Sequence, residues 1–139
     1  MALVSTLKRD PIIDIPIFGS IAAGVGEFTE ESREGTLSMD MRSAGVSSAA
    51  GVFALKVRGD SMIGAQINDG DIVILEQRAP KNNDIVAALI DGETTLKRFI
   101  MNRDRAFLKA ENPDYPDLIP VTELIIQGVM VALVRKVES

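Results

Sequence analysis

The sequence predicts a mainly β protein whose short strands close into a small barrel-like, folded sheet. Three observations carry this. Apolar residues recur with period two. The apolar runs are strand-length and bounded by Gly, Asp or Asn. No segment has the periodicity of an amphipathic helix of three turns. With 139 residues the chain holds one domain's worth of core.

The strands follow in order. FALKVR (53–58) places Phe53, Leu55 and Val57 on one face and Ala54, Lys56 and Arg58 on the other, as a half-buried strand does. DIVIL (71–75) and DIVAALI (84–90) are rich in β-branched residues. Asp91-Gly92 then separates IVAALI from TTLKRF (94–99), which is the signal of a two-residue hairpin. AFLKA (106–110) is a further strand, closed by the turn-rich ENPDYPD (111–117). LIIQGVMVALVRK (124–136) reads as one bent strand with Gly128 at a bulge or bend.

Ahead of these, residues 14–28 are apolar and punctuated by Gly. Residues 28–50 are polar and Ser-rich, and they predict a long loop with one short strand near Leu37–Met41. The expected division is therefore an N-terminal arm with a mobile loop over 1–50 and a β-rich core over 51–139.

Composition excludes much chemistry. The chain has no Cys, His or Trp and a single Tyr. It can form no disulfide, Cys/His zinc site, Ser-His-Asp triad or histidine switch. The formal net charge is −5, and neither residues 1–50 (4 basic, 7 acidic) nor 51–139 (11 and 13) is basic. Duplex-DNA binding by this chain is not expected. MALVSTLKRD lacks an apolar signal region, and no apolar run is long enough to span a bilayer. The expectation is a cytoplasmic protein, without membrane association, metal or cofactor.

Several motifs have plain explanations. Asn68-Asp69-Gly70-Asp71 lacks the spacing and distal Glu of an EF-hand and reads as a turn. Gly24-Val25-Gly26 is a fragment of a phosphate loop with no helix after it. Glu30, Glu31 and Glu34 read as a solvated loop face.

Ser61 and Lys97 carry more. Ser61 follows a Gly in Arg58-Gly59-Asp60-Ser61-Met62, where a tight turn exposes a hydroxyl and leaves backbone N–H groups unpaired. Lys97 lies mid-strand on the face of Thr95 and Phe99. A buried Lys must lose its proton or find a partner, and a neutral amine can serve as base to Ser. From spacing alone, a turn Ser and an exposed strand Lys are the simpler reading of the two residues.

Gly59-Asp60-Ser61-Met62, then Asp69-Gly70-Asp71, Asp84-Ile85-Val86, Asp91-Gly92-Glu93 and Thr95-Leu96-Lys97-Arg98, resembles the LexA/UmuD family of self-cleaving Ser-Lys proteases. The order and the 36-residue interval from Ser61 to Lys97 fit, as do Glu111-Asn112-Pro113 and the strand Gly128–Arg135. Ile21-Ala22-Ala23-Gly24 is similar to the family's cleavage segment. The resemblance covers roughly residues 14–136.

It implies that Ser61 is the nucleophile and Lys97 the general base. The Ser61 N–H, with that of Asp60 or Met62, would bind the oxyanion, and Thr95 would hold the Lys97 amine. Ala23-Gly24 would be the scissile bond, with Ala44-Gly45 and Ala50-Gly51 as rivals. The family further implies a homodimer and cleavage stimulated by the RecA–single-stranded-DNA filament, in the SOS response to DNA damage.

Only about 13 residues precede Asp14. That organisation resembles UmuD, whose cleaved form serves as accessory subunit of a Y-family translesion polymerase. The Ala-Ala-Gly segment and Lys97-Arg98-Phe99 are more LexA-like, so a LexA-like repressor or its C-terminal fragment is the alternative. A signal-peptidase-like serine protease would share the dyad, but normally carries a membrane anchor.

Overall fold

The computed structural model describes residues 11–19 and 33–137. Eight strands form one sheet: β1 Ile12–Phe18, β2 Arg33–Asp40, β3 Val52–Lys56, β4 Ile72–Glu76, β5 Ile85–Ile90, β6 Glu93–Asn102, β7 Arg105–Lys109 and β8 Leu124–Val134. Their order is β2-β1-β3-β4-β8-β5-β6-β7. The domain is mainly β, as expected. Its two end strands, β2 and β7, do not pair, so the sheet folds over without closing into a barrel. No helix among the described residues is long and apolar enough to cross a membrane.

The predicted hairpin forms between β5 and β6, with Ile90 opposite Glu93. Asp91 (φ 49°) and Gly92 (φ 88°) both adopt the positive φ that a tight two-residue turn needs. The Asp91 carboxylate also accepts backbone N–H bonds from Val121, Thr122 and Glu123, which fastens the turn to the chain entering β8. β8 is one long strand, and its pairing with β5 skips Gln127, next to Gly128. A second skip, at Val131, bends it against β4.

The polar stretch 28–50 departs from expectation. From Arg33 to Asp40 it is a full strand, paired antiparallel with β1 from Ile12↔Asp40 to Phe18↔Arg33. β1 in turn runs parallel to β3 at Ile17↔Ala54 and Phe18↔Leu55. β1 and β2, from the first fifty residues, thus share one sheet with the strands that follow. Asp40 ends β2 and caps the short helix α1, Met41–Ala44, by accepting a 2.9 Å bond from Ser43 N. Glu34, expected on a loop, stands on β2, 3.7 Å from Arg58.

This hairpin explains the burial of β3. Phe53 and Leu55 face one core cluster, with Phe18, Met62, Ile67, Val73 and Leu75. Val52 and Ala54 face another, with Ile13, Ile15, Ala44, Val46 and Ile74. β3 is therefore buried on both faces rather than half-buried. A third cluster, around Phe99, Leu108 and Val129, lies under β5–β8.

Candidate active site

The turn after β3 presents Ser61. Val57 is fixed to the following loop by Val57 N to Asp71 O (2.7 Å) and Gly70 N to Val57 O (2.8 Å). Gly59 takes φ 83° and donates its N–H to Asp69 Oδ1 at 2.8 Å. Three residues later Met62 is buried in the first core cluster, and its carbonyl accepts from Ala65 N at 3.0 Å. The turn is pinned on either side of Ser61 while the hydroxyl stays in the cleft. No backbone N–H of Ser61 or Met62 has a hydrogen-bond partner among the described residues.

Lys97 approaches from β6. Strand alternation turns it inward together with Phe99, and only 8% of it is exposed. Its Nζ lies 3.0 Å from Ser61 Oγ, 2.6 Å from Thr95 Oγ1 and 3.1 Å from Leu96 O. Removal from water disfavours the ammonium, so the pKa of Lys97 falls below the ordinary 10.5. Ser61, Lys97 and Thr95 line a cleft of about 150 Å³ with Gly19, Leu55, Val57 and Met62. β1 thus delivers the chain, at Gly19, to the edge of that cleft.

Of the residues singled out in the sequence, Ser61, Lys97 and Thr95 come together. Asp60 and Met62 flank Ser61. Ala23 and Gly24 lie outside the described residues, as does Gly24-Val25-Gly26. Of the rival bonds, Ala44-Gly45 sits at the end of α1 with Ala44 fully buried. Ala50-Gly51 leads directly into β3, with Gly51 at φ 73°. Asn68–Asp71 is a turn whose two carboxylates are already engaged. Asp69 holds Gly59 N, and Asp71 binds Arg135 and Asn68 N.

Two residues that the sequence left unassigned touch the Ser61 turn. Asn112 Nδ2 donates to Asp60 O at 2.9 Å, and Tyr115 Oη donates to Asp60 Oδ1 at 2.5 Å. The one available signal is Glu111-Asn112-Pro113, which belongs to the family pattern without pointing to a role for Asn112.

Comparison with known proteins gives the family. The Peptidase S24-like family model matches residues 16–131. The chain is 60% identical over 123 residues to the LexA repressor of Verrucomicrobium spinosum, covering 88% of this chain and 61% of that protein. It is 42% identical over 124 residues to the LexA repressor of Opitutus terrae, covering 88% and 62%. To LexA repressor 2 of Geobacter sulfurreducens it is 36% identical over 142 aligned positions, covering 99% and 68%. The chain spans about three-fifths of the length of the first two curated relatives. The family match over residues 16–131, with 36% identity to a LexA repressor of which the chain covers 68%, shows that the chain belongs to the Peptidase S24-like family, in its LexA/UmuD group.

Proposed function

We propose that this chain is the self-cleaving serine protease part of a LexA-like repressor, and that it cuts its own Ala23-Gly24 bond with a Ser61–Lys97 dyad. The observation that carries this is the 3.0 Å approach of Lys97 Nζ to Ser61 Oγ in a cleft that excludes most water from the amine.

The contacts around Nζ suit both protonation states. An ammonium has three N–H donors for Ser61 Oγ, Thr95 Oγ1 and Leu96 O. The neutral amine keeps two donors for Thr95 and Leu96 and turns its lone pair to the Ser61 hydroxyl. Lys97 then takes the Ser61 proton as Oγ attacks the Ala23 carbonyl carbon. The N–H groups of Ser61 and of Asp60 or Met62 receive the oxyanion. The C–N bond breaks as Lys97 returns the proton to the Gly24 nitrogen. A water molecule, deprotonated by Lys97, next hydrolyses the Ser61 ester and releases the Ala23 carboxylate.

The relatives' names favour the LexA-like role over the UmuD-like accessory role, for which they give no support. The residues before Asp14 do not decide between the two, because the chain spans only part of those relatives' length. In this reading the chain is a homodimer, and the RecA–single-stranded-DNA filament favours the docked, cleavable conformation without adding catalytic groups. Intact-mass spectrometry with and without activated filament tests it. Fragments 1–23 and 24–139 should accumulate with filament in the wild type and be absent from Ser61→Ala. Cleavage in Ser61→Ala would reject the dyad.

A further inference from the structure

We propose that Asn112 and Tyr115 are positioning residues for the nucleophile: acting through Asp60, they hold the Gly59–Met62 turn so that Ser61 stays within reach of Lys97. The inference rests on the Ser61–Lys97 assignment and adds a structural requirement to it.

The nucleophile turn needs outside support. Gly59, Asp60 and the following Ile63–Gly64 are exposed. Among the described residues, besides Met62 in the core, the turn's own bond from Ile63 N to Asp60 O and the Lys97 amine on Ser61, the contacts that hold the turn after Gly59 come from 111–115. Asn112 donates to the Asp60 carbonyl, Tyr115 to the Asp60 carboxylate, and Gly64 N donates to Glu111 O at 2.7 Å. A Cβ on Gly64 would lie 2.6 Å from that Glu111 oxygen, so only glycine permits the approach.

The brace is itself rigid and tied to the base. Asn112 is buried, and its Oδ1 accepts from Asp114 N at 2.9 Å, while Tyr115 N donates to Asn112 O at 3.1 Å. Both ends of the Asn112 amide are thus used, which a carboxylate could not reproduce against the Asp60 carbonyl. Glu111 accepts from Arg98 Nε at 2.5 Å, and Arg98 also donates to Asn83 O. Arg98 is the β6 residue next to Lys97. One continuous path therefore runs from the strand that carries the base, through Glu111, Asn112 and Asp60, to Ser61. It gives the two halves of the dyad a common frame.

The test measures filament-independent self-cleavage at alkaline pH, well below the unfolding temperature. Tyr115→Phe should slow cleavage about 3- to 10-fold, and Asn112→Ala about 10- to 100-fold, because small misplacements of a reacting group cost on this scale. The pH midpoint of the rate should not move, since Lys97 keeps its surroundings. Tyr115→Phe combined with Asp60→Ala should be no slower than the slower single variant, because both remove one bond. Tyr115→Phe removes a single oxygen, so this pair decides the matter even if Asn112→Ala does not fold. Wild-type rates in Tyr115→Phe and Asn112→Ala, a shifted midpoint, or multiplying effects in the double variant would overturn the brace while leaving the dyad standing. Cleavage by Ser61→Ala would overturn both.

Discussion

The Arg135 guanidinium grips the Asp71 carboxylate with two bonds, Nε to Oδ1 at 2.8 Å and Nη2 to Oδ2 at 2.7 Å. Nη2 also donates to Gln66 O at 2.9 Å, and Asp71 Oδ2 accepts from Asn68 N. The end of the chain's last strand is thereby fastened to the loop behind the nucleophile turn.

Arg135, then burial and the Asn68 N–H, act on Asp71, and the net effect holds its carboxyl below the ordinary 3.8. A lowered carboxyl pKa stabilises the fold above the unfolded value, and that stability is lost as pH falls through the folded one. Asp71→Asn should cost about 1–3 kcal/mol near neutral pH, since Asp71 is only 3% exposed and the bonds it loses are charge-assisted. Denaturant titration should show the difference shrinking below pH 4.

Lys97 changes stability with pH in the same direction, but as a penalty present below its window rather than a gain present above it. Between its lowered folded pKa and 10.5 the folded state binds fewer protons than the unfolded state, so its contribution to stability rises with pH across that window. Lys97→Met, which removes the buried charge, should melt at least as high as the wild type at pH 7. Its advantage should fade as pH rises toward 10.5. A Lys97→Met variant that is much less stable at neutral pH, with no dependence on pH, would contradict the burial argument.

Thr95 holds the amine from two residues away, at 2.6 Å. Thr95→Val keeps the shape and removes the acceptor. It should slow self-cleavage about 10-fold, the cost of losing one orienting contact, with little change in melting temperature. Thr95→Ser should recover most of the rate.

Much of this was legible in the sequence. Alternation and the Asp91-Gly92 pair locate β3 to β8, because each of those strands pairs with apolar neighbours and ends at residues suited to turns. The β1–β2 ladder was hidden. Arg33–Asp40 has Gly, Ser and Thr at strand positions, and it owes its place to Ile13 and Ile15, whose burial needs a covering strand. Ser61 and Lys97 were identifiable as a pair only through the family resemblance, since nothing local links residues 36 apart. Asn112 and Tyr115 act on Asp60 from 52 and 55 residues away, and ENPDYPD offered only turn chemistry.

The scissile bond has its own test. Gly24→Glu should block processing while leaving Ser61 and Lys97 untouched, because a charged side chain restricts the backbone and must shed water to enter the cleft. N-terminal sequencing of the large wild-type fragment should begin at Gly24. A start at Gly45 or Gly51 would move the site.

The central claim, that Lys97 is the base for Ser61, is tested most directly by the pH–rate profile of self-cleavage without filament in wild type and Lys97→Arg. Arginine stays protonated in proteins and cannot take the Ser61 proton. The wild-type rate should climb with pH until Lys97 is fully neutral, and Lys97→Arg should show no cleavage at any pH in the range. Cleavage by Lys97→Arg at the wild-type rate and with the same pH dependence would contradict the mechanism.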